Sequence, residues 1–189
     1  MLAQQKPEDY LDQALTALSA TPDCRSALDE LPVPIYTTQA DGEVTYWNRA
    51  CAEFAGREPE LGRDRWCVTW QLYTTAGDPL RHEDCPMAQA IKQQRAIRDV
   101  VAIAERPDGS RVAFRPYPTP LFDDDKKLTG AVNVLIDVTA EQTKMLRAQA
   151  EHCRRLAEAT CDSKTCRVLG DMAAGFDRTA DLLSFKSAD

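Results

Sequence analysis

Two Asp-Gly pairs, each set between β-rich runs, constrain this chain more than any other feature. Asp41-Gly42 lies between Ile35-Tyr36-Thr37-Thr38 and Glu43-Val44-Thr45-Tyr46-Trp47. Asp108-Gly109, inside Pro107-Asp108-Gly109-Ser110, lies between the runs 97–105 and 111–121. Glycine takes the positive φ that a tight hairpin turn requires, so each pair predicts two antiparallel strands joined by a turn. A further β segment, 128–138, follows the solvated loop Asp123-Asp124-Asp125-Lys126-Lys127. Pro116, Pro118 and Pro120 have no amide to donate, so the strand that carries them is expected to be irregular towards its end. Between the two hairpins, Asn48 is placed to cap a helix running through Ala50, Cys51 and Phe54 to Gly56. A second helix is expected over 84–94, with Pro86 in its tolerated first turn, after a loop at 75–79. Two strands, a helical crossover and three strands predict an α+β unit: a five-stranded antiparallel sheet with helices on one face.

The flanks are helical. Leu11, Ala14, Leu15 and Leu18 repeat at the spacing of an amphipathic helix over about 7–19. The Pro22 region interrupts it, and a short helix over 25–31 stops at Pro32 and Pro34. At the other end, Thr139-Ala140-Glu141-Gln142 has the form of a capping box. Leu146, Ala150, Cys153, Ala157 and Thr160 then make one stripe. After a turn at 161–164, Val168, Leu169, Met172, Phe176, Ala180 and Leu183 make a second, stronger one. The chain therefore divides into an N-terminal helix (1–23), a central domain (24–138) and a helical hairpin (139–189). Two partners could cover the apolar stripes. In a homodimer, Leu11, Leu15, Leu18, Leu169, Met172, Phe176 and Leu183 meet a second chain; otherwise the hairpin folds back on its own sheet.

Composition excludes some functions. Thirty acidic residues against 23 basic ones give a net charge of −7, which disfavours nucleic acid and anionic membrane as partners. The run Val100-Val101-Ala102-Ile103-Ala104 is far short of the ~20 apolar residues a bilayer span needs. The opening MLAQQKPEDYLDQAL has no apolar region of the secretory type, so a cytoplasmic chain is expected, its seven cysteines reduced.

With this order on the page, the central region over about 24–142 resembles the PAS domain, a small sensory module of bacterial signalling proteins. The resemblance is carried by Pro34-Ile35-Tyr36-Thr37-Thr38, Ala40-Asp41-Gly42, Val44-Thr45-Tyr46-Trp47-Asn48-Arg49-Ala50 and the Pro-Asp-Gly-Ser turn. It continues through Gly130-Ala131-Val132-Asn133-Val134 to Asp137-Val138-Thr139. The last Asp-x-Thr closes the final strand of many PAS domains, making Asp137 and Thr139 the signal junction. The segment 70–88, with Gly77-Asp78-Pro79-Leu80 and Cys85-Pro86-Met87-Ala88, is similar to a recurrent bacterial PAS variant. The resemblance implies a stand-alone sensory or regulatory module, not an enzyme. Its partners would include a signalling protein such as a histidine kinase or response regulator. PAS pockets accept haem, flavins, small metabolites or nothing, so the cofactor stays open between haem and a small metabolite, or an unliganded dimeric scaffold.

Several residues carry candidate chemistry. Cys85-Pro86 could place a thiolate on haem iron, with His82 as an alternative imidazole ligand; the bland reading is a proline-started helix. Cys67, in Arg65-Trp66-Cys67-Val68-Thr69-Trp70, lacks the asparagine and glutamine partners of the family's Asn-Cys-Arg-Phe-Leu-Gln flavin motif, which argues against flavin. Asn133 lies with Ala131 and Leu135 on the strand face opposite Val132, Val134 and Ile136. As a buried amide it needs a partner, and a pocket ligand is one candidate. Tyr36, Trp70 and Phe114 are the aromatic candidates for a pocket wall, among aromatics that are mostly core. His152 lies where a sensor kinase keeps its phosphoacceptor, but the proline-containing motif is absent and a surface histidine is the reading. Cys153, Cys161 and Cys166 offer one zinc-like spacing without a second pair, so no metal is expected. No nucleophile–base–acid constellation or phosphate-cradling glycine loop appears, and no catalytic residue is assigned.

Overall fold

The computed structural model describes residues 6–19, 24–159 and 162–184. The expected interruption at Pro22, Thr160 at the end of the first hairpin stripe and Cys161 of the expected turn lie outside the described residues. Helix α1 (Pro7–Ser19) and α2 (Cys24–Asp29) precede strands β1 (Ile35–Gln39) and β2 (Val44–Trp47). Helix α3 (Arg49–Ala55), strands β3 (Gln71–Tyr73) and β4 (Pro79–Leu80), a 3-10 turn at His82–Asp84 and α4 (Pro86–Gln93) form the crossover. Strands β5 (Ala102–Glu105), β6 (Arg111–Pro116), β7 (Thr119–Phe122) and β8 (Leu128–Asp137) complete the sheet. The hairpin is α5 (Thr139–Ala159) and α6 (Ser163–Ser184).

The α+β class and antiparallel sheet are as expected, but the sheet has eight short strands in place of five. Their order is β2-β1-β8-β6-β5-β3-β4, with β7 also paired to β8. Two causes account for the difference. The crossover contains its own hairpin, β3–β4, pairing Leu72 with Leu80 and Tyr73 with Pro79. The proline-rich strand breaks at Tyr117-Pro118: β6 pairs Phe114–Pro116 with 135–137 of β8, and β7 pairs Thr119–Phe122 with 128–132. The expected strand over 97–105 also shortens to its last four residues, because Asp99 sits at φ 60° and breaks the extended run.

The crossover helices lie on one face of the sheet, as expected, and the flanking helices cover the other. On the inner face, α3 and α4 close over Tyr36, Phe54, Val68, Met87, Phe114 and Leu135, with Phe54 and Phe114 edge to face at 5.4 Å. On the outer face, Leu11 and Ala14 of α1 pack on Ile35, Val132 and Val134. Further along that face, Leu146, Ala180 and Leu183 of the hairpin pack on Ile103, Ala113 and Val138, with Phe176 at the edge. The strand alternation read from the sequence holds: Val132 and Val134 face outward, Ala131 and Leu135 inward. Gly130 is required where β8 crosses β1, since a Cβ there would lie 2.0 Å from the Thr38 carbonyl oxygen. Among the described residues, no helix is long and apolar enough to cross a membrane.

Asn48 ties the N-terminal layer to the sheet. Its Oδ1 accepts from the amides of Ile35 and Cys51, both at 3.0 Å, so it caps α3 as expected. Its Nδ2 donates to the carbonyls of Leu28, Leu31 and Val33 at 3.2, 3.3 and 2.9 Å. The side chain is fully buried, so truncation strands several groups at once. Asn48→Ala is expected to lower unfolding free energy by about 3 kcal/mol in urea titration, well beyond the ~1 kcal/mol of an ordinary cap. A loss below about 1 kcal/mol would contradict this hub role.

Candidate functional site

The inner face of the sheet, where the sequence places a pocket, is occupied by the chain's own side chains around one polar thread. Tyr36 on β1 and Asn133 on β8 are cross-strand partners, and both are buried. Asn133 Oδ1 accepts from the Tyr117 amide at 2.9 Å, at the point where prolines break the neighbouring strand. Asn133 Nδ2 donates to the Tyr36 hydroxyl at 3.0 Å. That hydroxyl donates to the Trp66 carbonyl at 3.1 Å. The partner the buried amide needed is thus supplied from within. Burial, with the neighbouring Cys67 and Cys85 thiols, holds the Tyr36 phenol well above its ordinary pKa, so it stays a donor at neutral pH.

The other residues singled out in the sequence fall into two groups. Phe114 is in the inner core beside Phe54, and Cys85 is buried at the N-cap of α4. Trp70 is 54% exposed. With Leu72, Tyr73 and His82 it lines a surface cleft of about 280 Å³. His82 sits in the 3-10 turn between that cleft and another lined by Cys67, Arg63, Arg65 and Arg81, of about 360 Å³. Cys67, Cys85 and Tyr36 share the inner core with Cys51. Sequence reasoning treated Cys67, Cys85 and His82 one by one; their juxtaposition needs the fold. Among the described residues, no group of three or more His, Cys, Asp or Glu side chains is arranged to hold a metal ion.

The signal junction has its own geometry. Asp137 Oδ1 accepts from the Thr139 amide at 2.8 Å, so Asp137 caps α5. The Thr139 hydroxyl does not fold back on its own helix as a capping box would. It accepts from the Ala113 amide at 3.0 Å and reaches the Ala113 carbonyl at 3.4 Å, bonding α5 to β6. A cleft of about 1120 Å³ opens beside it, bordered by Arg106, Arg111, Asp137, Thr139, Lys144 and Arg147.

The residues expected at a dimer interface are divided. Leu11 and Leu183 are buried within one chain, Leu15, Leu18 and Phe176 pack against the outer core, and Leu169 packs inside the hairpin. Met172 is 46% exposed, with Val168 one turn before it exposed as well. The fold-back alternative therefore accounts for most of these stripes.

The polar thread gives a direct test. Tyr36→Phe removes the hydroxyl that Asn133 donates to and that the Trp66 carbonyl accepts from. A loss of about 1–3 kcal/mol is expected by denaturant titration. A neutral substitution would mean that the thread is not formed.

Comparison with known proteins follows the same lines. No curated protein matches the chain. Among solved structures, the chain is similar to a LOV protein of Rhodobacter sphaeroides, at 13% identity and TM-score 0.49, covering 95% of this chain and 97% of that one. It is also similar to the LOV domain of the Erythrobacter litoralis EL346 blue-light-activated histidine kinase, at 23% identity and TM-score 0.45, covering 58% and 98%. A third is the PAS domain of the fruit-fly ELK potassium channel, at 9% identity and TM-score 0.47, covering 60% and 92%. These likenesses are loose, and the assignment rests on the match along the sequence. The family model described as the PAS fold matches residues 28–143, more than half of the chain and all of the sheet. The chain belongs to the PAS fold family.

Proposed function

We propose that this protein is a cytoplasmic sensory or regulatory module, not an enzyme, whose PAS sheet passes a change of state to the α5–α6 hairpin. The observation that carries the reading is the junction. Strand β8 borders the inner core through Leu135 and continues directly into α5. The Thr139 hydroxyl then fastens the first turn of α5 to Ala113, whose neighbours Val112 and Phe114 face the inner core. Ala113 and Ile103 themselves carry the hairpin on the outer face. A shift of the inner side chains is thus one sheet thickness from the helices that would report it. Two discrete packings of that interface, favoured differently by an input, are what a switch requires.

The filled inner face supports a second reading, a dimeric interaction scaffold without a bulky ligand. Tyr36, Phe114, Met87 and Leu135 occupy the space, and the Asn133 amide is engaged at both ends. Among the exposed apolar residues, Val168 and Met172 lie one turn apart on α6, and that pair is the surface proposed for a second copy, or for a kinase or response regulator.

Two measurements test these readings. Thr139→Val removes both hydroxyl contacts to Ala113, and amide exchange in the first turns of α5 is expected to speed up about tenfold with β1 and β2 unchanged. Unchanged α5 exchange would contradict the relay. Sedimentation velocity is expected to give roughly 42 kDa, twice the 21.1 kDa chain. The double substitution Val168→Asp and Met172→Asp is expected to return it to a monomer without lowering the melting temperature. A concentration-independent monomer for the unmodified chain would overturn the dimer.

A further inference from the structure

We propose that Cys67 and Cys85 form an oxidation site, a dithiol that a small hydroperoxide converts to a disulfide at the edge of the PAS inner core. The two residues come from different elements: Cys67 from the loop before β3, and Cys85 from the N-cap of α4. Trp66 brings them together. The Cys67 amide donates to the Arg65 carbonyl at 2.8 Å, closing a three-residue turn around Trp66 at φ 67°. This left-handed backbone is costly for an aromatic residue and is held from outside. The Trp66 ring occupies the space a Cβ on Gly42 would need, and the Trp66 amide donates to the Gly42 carbonyl at 2.7 Å. The turn aims the Trp66 carbonyl inward, where it accepts from the Tyr36 hydroxyl at 3.1 Å and from Cys85 Sγ at 3.7 Å. Cys85 is therefore bonded to the residue immediately before Cys67, and the two cysteines pack in the same buried cluster.

The surroundings give the two sulfurs different roles. Cys67 Sγ lies 3.2 Å from Thr69 Oγ1. The neighbouring Cys85 thiol, with His82 and Thr69 adding to it against the effect of burial, pulls the Cys67 thiol below its ordinary range. The neighbouring Cys67 and burial push the Cys85 thiol up. Cys67 borders a surface cleft and Cys85 does not, so Cys67 is the nucleophile and Cys85 the resolving thiol. Cys51, the other buried thiol nearby, is pushed up by burial and stays inert.

A surface cleft and an unpartnered nitrogen adjoin Cys67, which is itself buried, so the oxidant reaches the sulfur by local opening beside the cleft. Cys67 borders the surface cleft of about 360 Å³ that His82, Arg63, Arg65 and Arg81 also line. His82 Nε2 is buried with no hydrogen-bond partner among the described residues, an orphan nitrogen that a peroxide oxygen would satisfy. The chemistry balances in two steps. The Cys67 thiolate attacks one oxygen of hydrogen peroxide, an S–O bond forms as the O–O bond breaks, and the departing hydroxide takes a proton to become water. The Cys85 sulfur then attacks the Cys67 sulfenic acid; the S–S bond forms, the S–OH bond breaks, and the hydroxide leaves as water with the Cys85 proton. One peroxide is reduced to two waters and two thiols become one disulfide.

The test uses the full chain, fully reduced, treated with hydrogen peroxide, alkylated and digested with trypsin. Cleavage puts Cys67 alone in peptide 66–81 and Cys85 alone in peptide 82–92. The proposal expects these two peptides linked, two of the seven thiols lost, and at least about tenfold faster loss than at the partly exposed Cys166. Cys85→Ser is expected to leave a dimedone-reactive sulfenic acid on Cys67, and His82→Ala to slow Cys67 oxidation severalfold at unchanged melting temperature. Peptides 66–81 and 82–92 recovered unlinked and fully alkylated, or Cys67 joined to Cys51, would overturn it. If the serine variant does not fold, the peptide map of the unmodified chain still decides. The readout is on the PAS domain itself, so it stands or falls separately from any response of the hairpin.

Discussion

Strand β8 is the element on which the rest depends. It is the longest strand, it pairs with β1 along one edge and with β6 and β7 along the other, and from Gly130 to Leu135 it is buried. Such a strand must be apolar on both faces, and Ala131, Val132, Val134 and Leu135 meet that demand. Asn133 is the exception. It is tolerated because both ends of its amide are paired: its Oδ1 shares the Tyr117 amide with the Val134 carbonyl, and Tyr36 stands opposite to accept from its Nδ2. One polar residue in the central strand thus starts the thread through Tyr36 to Trp66.

The outer layers follow from the same strand. Because Val132 and Val134 point outward, the far face of the sheet is apolar and needs cover, which α1 provides at one end and the hairpin at the other. At roughly 25 cal/mol per Å² of apolar surface removed from water, both contacts are worth keeping within one chain. The continuous path from β8 into α5 fixes where the hairpin begins, and the Ala113–Thr139 bonds fix its angle to the sheet. What remains exposed on the hairpin, Met145 and Leu156 on α5 and Val168, Met172 and Leu182 on α6, is the surface that a partner could use.

Much of this was legible in the sequence, for physical reasons that can be named. The Asp-Gly turns, the Asn48 cap and the alternation along 131–136 are local rules, and the structure obeys them. Strands β3 and β4 were hidden because three residues and two residues are too few to show an alternation. The split into β6 and β7 was visible only as an irregularity, since the prolines say where pairing fails and not where it resumes. Thr139 had the form of a capping box, but a strand amide in reach was a better partner for its hydroxyl than the helix itself. At the candidate site, each cysteine and His82 could be noticed alone. No local signal says that Trp66 adopts a left-handed turn, and without that turn Cys67 and Cys85 have no reason to meet.

The central claim is that one sheet is covered on its outer face by its own chain, so that β8 and the hairpin form one mechanical unit. Methyl nuclear Overhauser spectroscopy tests it most directly. In uniformly labelled protein, the Ile103 methyls are predicted to show contacts to the methyls of Leu146 and Leu183. In a sample mixed from labelled and unlabelled chains, an isotope-filtered experiment is predicted to show none of these contacts. Their absence from the first spectrum, or their appearance in the filtered one, would mean that the hairpin packs elsewhere or on a second chain, and the account would fail.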